Sequence, residues 1–292
     1  MKTKGFFTTK DHFNIAYQTN FDNLDGFELP VIIFNYGLVC SNAHWKYQIP
    51  FFNDLGYPIV LHDYRFHFDS SSSENINDCN FQGMANDLVQ LMDHLSIESA
   101  IMLGHSMGVN VTLEIARRFP EKVKQMVLIS GTVLPPQDIM FDSNYVEIVE
   151  PYIKLFSQVF PDIFTKIWKS APQNPLLKEI IFKGGFNTKT APREFIDIYV
   201  KKISELKPDI FFQLLDEMKR HDIVSYLEDI PTPTLVIGGD KDQVIPNYLQ
   251  KILHDHLPVS ELYIVKDGSH VPQVDFPETI NERILHFLEK FN

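Results

Sequence analysis

The stretch Gly104-His105-Ser106-Met107-Gly108 places one serine between two glycines. A short apolar run, Ala100 to Leu103, precedes it, and the helix-like pattern Val109 to Phe119 follows it. This is G-x-S-x-G in the strand–turn–helix setting that the motif requires. A turn that sharp strains the serine backbone, and side chains at the flanking positions would strike the neighbouring strand and helix. Glycine removes the clash. The expected outcome is an exposed Ser106 Oγ at a helix N-terminus, where partial positive charge favours a developing anion. Ser106 is therefore expected to be a nucleophile. A serine hydroxyl is weak in that role without a base, so the chain must supply one elsewhere.

At this point the chain resembles the α/β-hydrolase family, over nearly its whole length outside one helical stretch. The family's chain order of serine, acid and histidine implies a base near the C-terminus. "VKDGSHVPQVDFPETINERILHFL" resembles the family's histidine loop, with Gly268, His270 and a proline-led last helix, so the resemblance implies His270 as general base. "TLVIGGDKDQVIP" offers two acids, Asp240 and Asp242. The family pattern favours the second, Asp242, whose task would be to fix the His270 tautomer and stabilise the imidazolium. Asp240 is expected to cap the loop, and Asp138 is a more distant alternative acid. The family's oxyanion hole uses the N–H after the nucleophile and one from the loop after an early strand. Here those are Met107 and, by the match of Tyr36-Gly37-Leu38 to His-Gly-x, Leu38. Tyr36 in place of histidine departs from the pattern. "DYRFHFDSS" resembles the family's D-x-R-G-x-G-x-S loop, with Phe66 and Phe68 at its two glycine positions. Asp63 and Arg65 are expected to be structural.

These residues need a scaffold that brings distant loops together. Continuous apolar runs at 31–36, 58–62, 100–104, 125–130, 234–238 and 261–265 suit central strands covered on both faces. Helical patterns alternate with them, including one with Met84, Leu88, Leu91, Met92 and Leu95 on one face. Another is the final segment led by Pro277, with Ile280, Ile284, Leu285 and Leu288 on one side. The alternation predicts an α/β class with a mostly parallel central sheet flanked by helices. The first segment, "GFFTTKDHFNIAYQT", reads as an antiparallel hairpin at the sheet edge. Residues 1–133 and 229–292 are expected to form the core, and 134–228 an all-helical cap. Within the cap, Phe156, Phe160, Phe164 and Trp168 recur every four residues and are expected on one helix face.

Composition narrows the partners. The chain has 292 residues, 44% hydrophobic, with a net charge of −12, which disfavours nucleic acid as a partner. No run reaches the length of a membrane span, and no N-terminal apolar run suggests a signal peptide. With only Cys40 and Cys79, and no CxxC pair, the expected location is cytoplasmic. His254-Asp255-His256 does not make a metal site, because positions i and i+2 of a helix point about 200° apart. No cofactor or metal is expected. His105 is expected to pack under the elbow, and Trp45 beneath the oxyanion loop.

The resemblance implies a serine hydrolase acting on a carboxylic ester of a small, apolar molecule. Serine at 106 argues against the aspartate nucleophile of haloalkane dehalogenases and epoxide hydrolases. Carbon–carbon bond hydrolases often carry Asn before the serine, where this chain has His105. N-terminal proline peptidases need acids to hold the substrate amine, for which Glu147, Glu150 and Glu217 are candidates. Lactone hydrolysis and acyl transfer stay open. So does a small-molecule receptor on the same fold, which would stall after about one turnover, whereas an enzyme would cycle.

Overall fold

The computed structural model describes residues 1–134, 145–187, 189 and 191–291. Eight strands form one sheet: β1 (Thr3–Thr8), β2 (Asn14–Thr19), β3 (Val31–Asn35), β4 (Ile59–His62), β5 (Ala100–His105), β6 (Val123–Ile129), β7 (Thr234–Gly239) and β8 (Ser260–Val265). Their order is β1-β2-β4-β3-β5-β6-β7-β8. The β1–β2 hairpin is antiparallel and lies at the edge, as its sequence suggests. It joins β4 antiparallel, and every later pairing is parallel.

The apolar runs are continuous because both faces of the sheet are covered. Ile33, Met102, Met126 and Leu128 face one cluster. That cluster includes α2 (Phe81–His94) and α3 (Met107–Arg118). Ile32, Phe34, Ile101, Leu103, Val127 and Ile129 face the other. There α1 (Gln48–Asp54) contributes Phe52. Neighbours along each strand alternate between the two clusters, which is the period-2 geometry of a pleated strand.

Parallel pairing puts the C-terminal ends of the central strands at one edge. Asn35 lies beside Gly104, His105 beside Ile129, and Gly239 beside Val265. Crevices at such ends are where open α/β sheets hold ligands.

Between β6 and β7 the described elements are helical: α4 (Tyr145–Val159), α5 (Pro161–Lys169), α6 (Pro175–Gly185), α7 (Arg193–Glu205) and α8 (Pro208–Arg220), with two 3₁₀ turns. The four-residue aromatic repeat does not lie on one helix. Phe156 belongs to α4, while Phe164 and Trp168 belong to α5. Pro161 lacks an N–H and disfavours helical backbone at Phe160, so the chain breaks there and restarts. The rings still meet across the break, with Phe156 and Phe164 centroids 6.0 Å apart.

The chain ends in α9 (Tyr248–His256), the single turn α10 (Pro272–Asp275) and α11 (Pro277–Lys290). Ile280, Ile284 and Leu288 of α11 are buried, and Leu285 packs beside them partly exposed.

Candidate active site

Ser106 sits between β5 and α3 with φ 54° and ψ −123°, a strained backbone for a residue with a Cβ. The glycines around it are explained by proximity. A Cβ on Gly108 would lie 2.2 Å from the Asn35 carbonyl oxygen. One on Gly104 would lie 2.8 Å from both the Gly108 oxygen and Thr112 Oγ1. One on Gly37 would lie 2.8 Å from Ser106 Cβ. The elbow therefore packs directly against the end of β3 and the loop that follows it.

His270 reaches Ser106 from the loop after β8. Its Nε2 is 3.1 Å from Ser106 Oγ, and its Nδ1 is 3.0 Å from Asp242 Oδ2. Asp242 comes from the loop after β7, with its side chain 1% exposed. Its other oxygen accepts the Val244 and Ile245 N–H groups, both at 2.9 Å. Asp240 is not part of this cluster. It is exposed and lies 3.8 Å from Lys241. The loop-capping task expected of Asp240 falls instead to Asp242, whose carboxylate turns inward. Asp138 lies outside the described residues.

Two further contacts hold the histidine loop. A Cβ on Gly239 would lie 2.2 Å from the Gly268 oxygen, so the chain leading to Asp242 and the loop carrying His270 touch through backbone alone. Asp275 Oδ2 accepts both the N–H and the hydroxyl of Ser269 at 2.7 Å.

His105 does more than pack under the elbow. Its Nε2 is 2.9 Å from the His270 carbonyl. Burial, with His270 and His44 beside it, holds its imidazole well below the usual range. It is therefore neutral, and Nε2 must be the donor to that carbonyl. His44 stacks on His105 with centroids 5.8 Å apart, and burial pushes its pKa down to about 3. Phe195 and Tyr199 of α7 meet the His44 ring edge-on at 5.0 and 5.3 Å. The helical segment thus rests on the Asn42–Trp45 turn, which follows the loop after β3. Trp45 is fully buried against Phe34 and His105.

The sequence patterns did not single out the support beneath the elbow. His62 Nε2 is 3.0 Å from Asn35 Oδ1. Asn35 Nδ2 donates to Thr112 Oγ1 at 2.9 Å, and Thr112 donates to the Gly108 carbonyl at 2.8 Å. Burial pushes the His62 pKa down to about 3, so the neutral ring donates and the chain of hydrogen bonds has one direction. The only signal was a polar residue, Asn35, ending an otherwise apolar run.

Arg65 is structural in its contacts. It grips Asp87 with two nitrogens at 2.5 and 2.6 Å and reaches Asp11 at 2.8 Å. Phe66 and Phe68 take positive φ, 68° and 41°, where the family pattern has glycine. Of the predicted non-sites, His254 bonds Ser260 and His256 bonds Glu228. Among the described residues, no group of three or more His, Cys, Asp or Glu side chains could hold a metal ion. Cys40 and Cys79 are buried and unpaired. No helix among the described residues is long and apolar enough to cross a membrane.

With this geometry in place, comparison with known proteins is direct. The alpha/beta hydrolase fold family model matches residues 30–277. The chain belongs to that family. It is an enzyme of the α/β-hydrolase family with an eight-stranded, mostly parallel sheet. It is 26% identical to the bifunctional esterase/perhydrolase DCH of Acinetobacter calcoaceticus, covering 97% of this chain and 99% of that one. It is 27% identical to RutD of Caulobacter segnis, provisionally named a carbamate hydrolase, covering 89% and 91%. Its fold matches the esterase EaEST of Exiguobacterium antarcticum with a TM-score of 0.79 at 18% identity, covering 98% of this chain and 100% of that one.

Proposed function

We propose that this hydrolase cleaves a carboxylic ester of a small, apolar substrate through an acyl-enzyme. In this reading Ser106 Oγ attacks the ester carbonyl while His270 Nε2 takes its proton. Asp242 orients His270 and stabilises the imidazolium. The Leu38 and Met107 N–H groups hold the oxyanion; among the described residues neither has a hydrogen-bond partner, which leaves both available. His270 then protonates the leaving alcohol and activates water to release the acid. The observation that carries the reading is the relay from Asp242 through His270 to Ser106, with both links at hydrogen-bond length.

Residues 134–228 act as a helical cap in this proposal. Support comes from the aromatic contact of α7 with His44 and from the cluster of Phe182, Phe186, Phe195 and Val200 with Val271 and Val274 beside His270.

The peptidase alternative weakens on one acid. Glu217 is mostly buried, accepts the Phe81 N–H at 3.3 Å and lies 3.5 Å from Arg220, so it is not held ready for a substrate amine. Carbamate cleavage is a second reading favoured by the RutD likeness. It uses the same nucleophile and oxyanion donors.

The test is a panel of p-nitrophenyl esters of rising acyl length, with a p-nitrophenyl carbamate alongside, on wild type and Ser106→Ala. Repeated ester turnover lost in the variant by a factor of about 10⁴ or more supports the reading. A single burst would favour a receptor, and carbamate turnover without ester turnover would favour the second reading.

A further inference from the structure

The oxyanion loop has an unusual difficulty. Gly37 must be glycine because Ser106 lies against it, yet glycine leaves the peptide planes on either side the most free to rotate. The plane that carries the Leu38 N–H also carries the Gly37 carbonyl. That carbonyl accepts the Cys40 N–H at 3.1 Å. Pinning the carbonyl points the Leu38 N–H the opposite way, since the two groups of a trans peptide are antiparallel. Val39, inside this turn, takes φ 52°.

The preceding plane, Tyr36 C=O with Gly37 N–H, is pinned from a different part of the chain. Tyr64, on the loop after β4, donates its hydroxyl to the Tyr36 carbonyl at 3.1 Å. In return, the Tyr64 N–H donates to the Tyr36 hydroxyl at 3.2 Å. The two rings pack with centroids 4.6 Å apart, and Tyr36 and Tyr64 are 0% and 2% exposed. The Tyr36 hydroxyl also lies 3.5 Å from Asp63 Oδ1. Tyr36 stands where the family pattern has histidine, and its hydroxyl is the atom that closes this reciprocal clasp.

Resting on the serine-hydrolase reading above, we propose that Tyr64 is a positioning residue for the oxyanion hole. Its hydroxyl, through the Tyr36 carbonyl, holds the Gly37 backbone so that the Leu38 N–H points at the developing oxyanion. Tyr64 touches no substrate and takes no proton. Its effect is confined to the transition state, because the ester in its ground state asks little of that N–H.

The test compares Tyr64→Phe with wild type on the best ester of the panel. It adds a trifluoromethyl ketone that forms a tetrahedral adduct with Ser106, and an uncleavable ether isostere of the ester. Losing an oxyanion donor outright costs about 10²–10³ in rate, so partial loss of its alignment is expected to lower kcat about ten-fold. KM and the ether's affinity are expected to stay within about two-fold, while the ketone weakens by the same factor as kcat. Tyr36→Phe, which keeps the carbonyl acceptor but loses the N–H bond to Tyr64, is expected to show the same split at about three-fold. It serves as the second variant if Tyr64→Phe does not fold.

Unchanged kcat in the folded variant would overturn the proposal. So would parallel losses of ether and ketone affinity, which mark general loosening. Ser106→Ala separates the two claims. If it abolishes turnover while Tyr64→Phe matches wild type, the positioning role alone fails. If turnover survives in Ser106→Ala, the serine reading and this inference fall together.

Discussion

The sheet end and the helical segment between β6 and β7 are built by different rules. At the sheet end, buried strand ends meet a helix start and a loop through backbone-to-backbone approaches that tolerate no added atom, at Gly108 of α3 on Asn35 and at Gly239 on Gly268 of the loop after β8. In α4 and α5, large apolar side chains face outward: Tyr152 is 72% exposed and Ile163 52%. The later helices of that segment are tied to the core, with Ile210, Leu214 and Met218 of α8 in the main cluster and Phe195 and Tyr199 of α7 on His44. Geometry at the sheet end is over-determined, so errors there should cost rate. The outer helices are held by far less, so changes there should cost little, except where a ring touches the core.

The largest effect expected separates two neighbouring acids. Asp242→Asn should lower kcat by about 10⁴, because the amide favours the wrong His270 tautomer. Asp240→Asn should stay within about two-fold, as its carboxylate lies outside the relay. Equal losses in steady-state ester assays would break the assignment.

Gly108→Ala comes next. At 2.2 Å from a backbone oxygen, the new methyl can be relieved only by moving the elbow, and a shift of about 1 Å can cost about 10² in rate. A folded variant with wild-type kcat would show the elbow to be looser than the packing implies.

Phe195→Ala probes the seam between the two regions. It removes a fully buried ring and should cost about 3 kcal/mol of stability, read by denaturant unfolding. Hydrolysis of the smallest ester should fall less than about five-fold, because loosening of this kind can stay local to the helical segment. A collapse of the small-ester rate would mean that the seam also holds the chemistry.

Asp63 predicts a pH effect. Burial raises its carboxyl from 3.8 to about 6, so folding favours the protonated form. The stability this contributes is fully present below the unfolded value near 4 and is lost as pH rises through 6. Between pH 4 and 6.5, wild type should lose about 2–3 kcal/mol relative to Asp63→Asn. Parallel Tm profiles for the two proteins would contradict this. Smallest of all, Ile163→Ser with Ile167→Ser should change stability by no more than about 0.5 kcal/mol each. A larger loss would show that this face is covered in solution.

Where the sequence was legible, the information was local. The strands show as runs of apolar residues because both sheet faces are buried, and the elbow shows because its two glycines and serine lie within five positions. Legibility failed wherever a decision depended on contact. Residue type alone does not separate Asp240 from Asp242, two positions apart; the family resemblance favoured the second, and that is the one the loop turns inward against His270. The aromatic repeat pointed to one helix because a spacing of four ignores the break at Pro161. The His62-Asn35-Thr112 chain and the Tyr36–Tyr64 clasp join residues up to 77 positions apart, and no short pattern encodes such a pair.

By itself, then, the sequence determined the elements and the residue types available at their ends. Hydrophobic periodicity and turn chemistry act over a few residues and need no knowledge of the rest of the chain. The tertiary structure decided which of those residues meet. Ser106 and His270 are 164 positions apart and lie at 3.1 Å. A hydrogen bond weakens sharply within a few tenths of an ångström, and only the packed sheet with its touching loops sets distances that finely.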